Sequence, residues 1–407
     1  MFGLGRKKPE AREIQRTQSA SDFFAAMGFG WSSSSGQVVN TTTALSVPAV
    51  FCAVNFIAGT IAGLPLHVYQ RSKDGRKRVE GPMAALLHDA VNDETTSFEW
   101  RKYKFERVLT GGRGFTQIVR NGRNEVGMLV PLDPSKVTIK RVNGLKIYEY
   151  EENGRTVRLE SSDVIDVPFM LAEDGLKHRG PIASNKEAIG LALAVQEYAS
   201  KFFQNGGVPP FAVTGNFQSS GALARAGEDL TAAVKKAATE QRHALTLPAG
   251  LEIKSIGTDA EKSQLLETQR FCVEQIARIY SLPPVFLQDL THGTFSNTEQ
   301  QDLHFVKHTL KRWIEQFEQE LNLKLFGRGN RKYFVEFSMD GLLRGDFKTR
   351  MDGYAAGIQN AILTPNEVRE LENRPTKDGG DALLIQGATV PLGSQPTETD
   401  QGTQDGA

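Results

Sequence analysis

The chain has 407 residues, 39% of them apolar and 24% charged, and its 48 basic and 48 acidic side chains leave no formal net charge. That length suits two or three compact domains, and the composition is that of an ordinary globular protein. A neutral molecule does not attract nucleic acid through its overall field, so any DNA contact has to be local or confined by shape. The two cysteines, Cys52 and Cys272, each sit inside an apolar helical pattern. They read as buried, inert thiols of a chain made in a reducing compartment.

The start, MFGLGRKKPEAREIQ, is basic but has no apolar core of a signal peptide. Residues 1–44 read as a mobile arm, with the serine run Ser32–Ser35 inside it. The most apolar run, Val47 to Leu66, contains Asn55 and is interrupted by Gly59, Gly63 and Pro65, which favours a buried helix over a membrane span. Ser46 is expected to cap that helix, with Pro48 in its first turn and Val50, Val54, Ile57 and Ile61 inside. A strand follows over Leu66–Tyr69. The run Arg71, Lys73, Arg76, Lys77, Arg78 around Asp74-Gly75 reads as a solvated hairpin turn, because it lacks the interleaved aromatics of a nucleic-acid surface.

A helix is expected from Ser97, then a block of short strands between Gly114 and Pro168. Asn121-Gly122, Asn143-Gly144 and Asn153-Gly154 separate strand pairs, the strongest short hairpin signal because both residues tolerate positive φ. The first 170 or so residues therefore predict helices packed on an antiparallel meander. From Pro181 a helix runs to about Phe203, with Ser184-x-x-Glu187 as a second possible cap, and Asn205–Pro210 stops it. A small strand–helix–strand insert leads to a capping box at Thr258-x-x-Glu261 and a helix that ends at Pro283-Pro284.

After the two prolines comes an unpatterned Gly/Thr/Ser segment, then Ser296-x-x-Glu299 as another capping box. Leu303, Val306, Leu310, Trp313, Ile314, Phe317, Leu321 and Leu325 follow at steps of three and four, up to Gly327. This is one face of a helix of roughly 45 Å. Tyr333–Phe337 reads as a strand able to join the sheet of the first domain, two short helices follow, and the tail from about Lys377 is Gly/Gln/Thr-rich and acidic.

Catalytic constellations are scarce. No Walker loop, nucleophile elbow, dinucleotide fingerprint or closely spaced cysteine pair occurs. His304 and His308 share a helix face, but Phe305 stands where a zincin has glutamate, and no third ligand is evident. Asp340, Asp346 and Asp352 admit a metal-dependent nuclease as an alternative, although their surroundings read more simply as turns and caps. No cofactor is expected.

The order of elements resembles the portal protein family of tailed double-stranded-DNA bacteriophages and prophages, in its compact siphophage form. Five stretches carry the resemblance: SVPAVFCAVNFIAGTIAGLPLHVY, GPIASNKEAIGLALAVQEYASKFFQNGGVPP, AEKSQLLETQRFCVEQIARIYSLPPVFLQDL, THGTFSNTEQQ with its helix, and GLLRGDFKTR…LTPNEVRELENRP. It implies an α+β portal fold. Residues 45–180 and 283–345 would form a wing, 181–205 and 259–282 two stem helices, 206–258 a small α/β clip, and 346–385 a helical crown before a disordered tail. It further implies a non-enzymatic homo-oligomeric ring, usually of twelve subunits, at one capsid vertex of the virion, assembled in the host cytoplasm. Its partners would be double-stranded DNA without sequence specificity, terminase, major capsid protein and head–tail connector, with no membrane. The loop 288–297 would line the channel with Thr291, His292, Gly293, Thr294, Phe295, Ser296 and Asn297. Lys262, Arg270 and Arg278 would add positive charge to the bore or serve as intersubunit salt-bridge partners.

Overall fold

The structure, a computed structural model, describes residues 30–384 apart from 74, 205–210, 216–219, 240–250, 256–258, 288–297, 331, 340–341, 343–346 and 373. The chain divides into two compact units, Met1–Ser338 and Met339–Ala407.

The arm expected to be mobile up to residue 44 is folded from residue 30 onward. Strands β1 (Trp31–Ser32) and β2 (Val38–Val39) pair as a hairpin, and Ser33 Oγ donates to the Gln37 carbonyl (2.8 Å). Ser34 N–H donates to Glu187 Oε2 at 2.8 Å. Glu187 is thereby drawn away from the local cap that the Ser184-x-x-Glu187 spacing suggested. A Cβ added at Gly190 would lie 2.3 Å from Ser33 Oγ, so only glycine lets the hairpin seat on this helix. Helix α1 (Thr41–Leu45) follows with Asn40 and Thr43 as its capping box. Ser46, expected to cap the next helix, donates back to the Thr43 carbonyl (2.7 Å). Helix α2 (Pro48–Gly63) starts from Val47 without a side-chain cap, its first turn satisfied by Pro48.

Next come β3 (Leu66–Ser72), β4 (Gly75–Arg78), α3 (Pro82–His88) and α4 (Ser97–Thr110). The cap of α4 is Thr96 paired with Glu99, while the Ser97 hydroxyl donates to the Leu87 carbonyl in the interior. The strand block resolves into β5 (Arg113–Arg120), β6 (Val126–Leu132), β7 (Val137–Val142), β8 (Leu145–Glu152), β9 (Arg155–Glu160) and β10 (Val164–Pro168). Asn143-Gly144 (φ 51° and 82°) and Asn153-Gly154 (φ 49° and 74°) form the left-handed pairs that tight hairpins need. Asn121-Gly122 does not. There the loop is longer: Asn121 N–H donates to the Glu125 carbonyl (2.9 Å), and Asn124 takes the positive φ of 64°.

The helix expected from Pro181 is two, α5 (Pro181–Ser184) and α6 (Lys186–Gln204), separated at Asn185. Then come β11 (Phe211–Gly215), α7 (Ser220–Thr239), β12 (Leu251–Ser255) and α8 (Asp259–Tyr280), with β11 and β12 antiparallel and α6 packed on α8. Thr258 lies outside the described residues. Helix α9 covers residues 298–326, and β13 is Tyr333–Phe337. The second unit contains α10 (Phe347–Gln359) and α11 (Pro365–Leu371). In that unit, buried Asn366 brackets the next loop, donating to the Lys377 carbonyl and Asp381 (both 2.9 Å) and accepting the Lys377 N–H (2.9 Å). Among the described residues no helix is long and apolar enough to cross a membrane.

The strands of the first 170 residues do not form one meander. They fall into two three-stranded antiparallel sheets, β10-β5-β6 and β7-β8-β9, with the break at a 3₁₀ turn that Asp133 caps through the Ser135 N–H. A third sheet, β13-β3-β4, takes β13 from far along the chain, in register from Tyr333 opposite Gln70 to Phe337 opposite Leu66. Strands β10 and β13 are therefore edges, each with one row of backbone groups unpaired by sheet.

Helix α9 closes both edges. Toward β10, Gln316 Nε2 donates to the Pro168 carbonyl (2.8 Å), and Glu320 Oε1 accepts the Asp166 N–H (2.9 Å). Toward β13, Glu318 Oε1 accepts the Phe337 N–H (2.7 Å). Asn322 accepts the Val335 N–H (2.7 Å) and donates to its carbonyl (3.2 Å). Beneath them Trp313 and Phe317 meet Phe105 of α4, with Phe317 at 5.4 Å between ring centroids, and Phe317 also packs on Trp100 and Phe337.

The buried face of α9 runs Phe305, Thr309, Trp313, Phe317, Leu321, Leu325, in steps of four. In an ideal α-helix each such step overshoots by about 40°, which would carry the stripe off the core within this length. Two wider π turns, Phe305–Leu310 and Asn322–Phe326, underwind the helix and keep the stripe aligned. Leu303, expected on this face, is 43% exposed, because it precedes the first π turn.

Behind β10 lies a buried polar cluster. Arg113 grips Asp166 through a two-pronged pair at 2.6 Å, and the Tyr148 hydroxyl donates to the same carboxylate at 2.6 Å. Burial opposes the Asp166 charge, yet Arg113, Tyr148 and Lys146 hold its carboxyl below the usual range. Buried Lys104 donates to the Gly114 carbonyl, Thr116 Oγ1 and the Ile165 carbonyl (3.0–3.2 Å). Burial pushes its pKa down to about 7.

Burial also raises the Glu318 carboxyl, from 4.5 to about 7, with Glu336 and Glu315 adding to it and the Phe337 N–H opposing. Between those two values the folded chain holds a proton that the unfolded chain has released, so stability declines as pH rises across that interval. Glu318→Gln keeps an acceptor for Phe337 and cannot ionise. Thermal midpoints measured across this range should fall less steeply for the variant than for the parent; identical slopes would show that Glu318 titrates normally.

Candidate functional site

Helix α8 ends in a Schellman motif: the Leu282 N–H donates to the Ala277 carbonyl (2.9 Å) and the Ser281 N–H to that of Arg278 (3.2 Å). Ser281 occupies the left-handed position (φ 55°) that glycine usually fills. Pro283 and Pro284 bar any continuation, and a 3₁₀ turn, Pro284–Leu287, swings the chain across α2. The chain leaves the described residues after Leu287 and returns at Thr298. Thr291, His292, Gly293, Thr294, Phe295, Ser296 and Asn297 all lie in that interval, as does the serine of the expected capping box, so α9 is described from Thr298.

Both ends of the interval are pinned at one place. Phe286, before it, stacks on Phe56 of α2 at 5.2 Å between centroids. Phe305, after it, lies 4.9 Å from Phe56 and 5.0 Å from Phe286. The Cys52 thiol donates to the Phe286 carbonyl at 3.5 Å, and burial raises that thiol's pKa, which keeps it protonated. Thr309 Oγ1, brought inward by the first π turn, donates to the Ser281 carbonyl. The end of α8 is thus tied directly to α9. Tyr280 ties it to the core as well, its hydroxyl donating to the Leu109 carbonyl (3.1 Å). Residues 288–297 therefore join two fixed posts.

Beside these posts is an open groove of about 540 Å³ bordered by Arg278, Leu282, Pro283, Gln301, His304 and His308. The two imidazoles lie 4.5 Å apart. Among the described residues no three His, Cys, Asp or Glu side chains are placed to hold one metal ion. Asp340 and Asp346 lie outside the described residues, and Asp352 is exposed on α10. Cys272, the other thiol, is free and buried.

The three cations on α8 do not share one face. Eight-residue spacing turns each about 80° from the last, so Lys262 and Arg278 are about 160° apart. Arg270 and Arg278 are exposed, and Arg278 pairs with Glu274 one turn back at 3.2 Å. The side chain of Lys262 lies outside the described residues. Sequence reasoning missed the Phe56–Phe286–Phe305 trio and the Thr309 tie. The aromatic after the proline pair was the available signal for the first; nothing local marked the second.

A model of the phage portal protein family matches residues 48–373. The chain belongs to that family. A probable portal protein of Streptomyces phage phiC31 is 34% identical over 379 residues, spanning 89% of this chain and 82% of the relative. The crystal structure of an HK97-family phage portal protein from Corynebacterium diphtheriae superposes with a TM-score of 0.52 at 17% identity, covering 74% of this chain and 95% of that one. A chain from the neck of a native gene transfer agent particle, computed with C12 symmetry, gives 0.55 at 18% identity over 87% and 99%. The expected α+β portal fold is what these likenesses show. The fixed posts are thus features of a portal protein, and they can be tested by stability.

Two substitutions probe the posts. Phe286→Ala removes a partly buried ring that contacts two others and should cost roughly 2 kcal/mol in denaturant unfolding. Ser281→Gly relieves the left-handed conformation and should add about 0.5–1 kcal/mol. A loss of stability on Ser281→Gly would show that the serine side chain contributes more than its backbone costs.

Proposed function

We propose that twelve copies of this chain form a ring at one vertex of a phage or phage-like capsid, a channel through which double-stranded DNA enters on packaging and leaves on ejection. The observation that carries this reading is the match to the portal family over residues 48–373. The chain on either side of residues 288–297 is fixed at one place by Phe56, Phe286 and Phe305. The C12 symmetry of the gene transfer agent neck supports the copy number.

A neutral chain handles DNA in this arrangement because a ring confines the duplex and repeats a few phosphate contacts around it, without reading sequence. Thr291, His292, Thr294, Ser296 and Asn297 supply hydrogen-bonding groups, Gly293 a bend and Phe295 a yielding apolar edge. Lys262, Arg270 and Arg278 spread over nearly half the circumference of α8, so some face the bore and others the adjacent subunit. Residues 45–180 and 283–345 serve as wing, 181–205 and 259–282 as stem, and 346–385 as crown. The clip, 206–258, docks terminase during packaging and the head–tail connector afterwards, while the major capsid protein surrounds the ring. The protein conducts DNA without catalysis or cofactor of its own, within the virion, after assembly in the host cytoplasm.

Class averages of the purified oligomer by electron microscopy should show a twelve-fold ring with a hole wide enough for a duplex. A monomer at all concentrations, with no ring in particles, overturns the reading. Within rings, Thr294→Gly with Phe295→Gly should leave assembly intact and reduce DNA retained in particles. Rings that fail to form would assign these residues to packing instead.

A further inference from the structure

The basic hairpin that the sequence left as a solvated turn acquires a second half in the fold. Residues 71–78 carry five Lys or Arg against one Asp, and 327–332 carry three and no acid, within a chain of zero net charge. The pairing of β13 with β3 brings the two segments side by side. Arg71 N–H donates to the Lys332 carbonyl at 2.8 Å, and Arg71 stands opposite Arg76 on β4. Residues directly opposite one another share a face, so Arg71, Arg76 and Arg78 project from the same side of one three-stranded sheet, while Lys77, opposite Gln70, and the Lys332 ammonium, 5.1 Å over the Tyr333 ring, lie toward the other side.

The aromatics missing from the hairpin come from the neighbouring strands. Tyr69 and Phe334 stack at 5.6 Å between centroids. Above them lie two guanidinium groups, Arg71 over Phe334 and Arg76 over Tyr69, each 4.9 Å from the ring. These platforms hold the planar cations in place and lower the ordering cost of using them. Two carboxylates temper the face: Arg76 pairs with Glu336, and Arg78 with Glu80 at 3.2 Å. Arg71 on this face and Lys73 in the turn are exposed and in no ion pair among the described residues. His67, on the same side of the sheet, is held below the usual imidazole range first by burial, then by Arg78 and His88, with Glu80 opposing.

We propose that this sheet face, β13-β3-β4, is a second DNA-binding surface that takes the phosphate backbone of a duplex without reading its sequence. Charge complementarity selects that occupant. Arg71, Arg76 and Arg78, with Lys73 in the turn, outnumber the nearby carboxylates Glu80 and Glu336, whereas charged residues are depleted at the cores of protein–protein interfaces. Phosphate contacts, by contrast, need mobile point charges beside a few fixed guanidinium forks. The inference goes beyond the channel reading and stands without it, since it concerns neither the 288–297 loop nor the ring.

The test is fluorescence anisotropy of the full-length protein with a labelled random-sequence duplex across a salt series. Each phosphate contact contributes about 0.9 to the slope of log K against log salt. Replacing Arg71, Lys73, Arg76 and Arg78 by Gln should make that slope shallower by roughly 3.6 and weaken binding at least tenfold at low salt. Lys77→Gln, on the opposite face, should leave the slope unchanged. The thermal midpoint and ring images should match the parent. Thr294→Gly with Phe295→Gly should retain the full slope, which separates this surface from the loop. If the fourfold variant fails to fold, Arg71→Gln and Lys73→Gln alone should each lower the slope by about 0.9. An unchanged slope in these variants overturns the proposal. So does tighter binding to single-stranded RNA or to purified capsid shell protein than to the duplex, with the same dependence on the four cations.

Discussion

Two sheet edges and one helix hold this molecule together. Strands β10 and β13 each present a row of backbone donors and acceptors that no further strand pairs. Left open, such edges cost desolvation if buried and invite foreign strands if exposed. Gln316, Glu318, Glu320 and Asn322 answer them with side-chain hydrogen bonds from a single helix. Because those residues alternate between the two edges while Trp313 and Phe317 fill the space beneath, α9 fixes the two sheets relative to one another.

The same helix begins at the post after residues 288–297. Its first π turn places Phe305 against Phe56 and Phe286 and Thr309 against the Ser281 carbonyl, and its second half is bolted to the sheets. A displacement at that post would therefore be carried by a helix with little freedom to slide. Ser281 in a left-handed conformation and the proline pair make the other post equally definite.

Local signals were read well where they had no competitor. The Asn-Gly pairs at 143–144 and 153–154 form their tight turns, as their sequence implies. They misled where a distant partner offered a better bond. Glu187, read as half of a local capping box, instead accepts from Ser34 in a hairpin read as a mobile arm. A cap sequence states what a side chain can do; which acceptor it takes depends on what folding brings near. The basic run at 71–78 shows the same limit, since Phe334, one of its two aromatic platforms, is encoded on β13.

By itself the sequence determined the family, through five ordered stretches, and with it the α+β class. It also determined the existence of most helices and strands, the proline stop before residues 288–297 and the apolar stripe of the long helix. These are properties of neighbouring residues, set by backbone sterics and by helix and strand periodicity. Tertiary structure alone decided that the strands form separate sheets, that β13 joins β3, that π turns keep the stripe inward, and that Phe56, Phe286 and Phe305 meet. Those contacts join residues far apart in the chain, and their free energy depends on burial and close packing, which no local window of sequence contains.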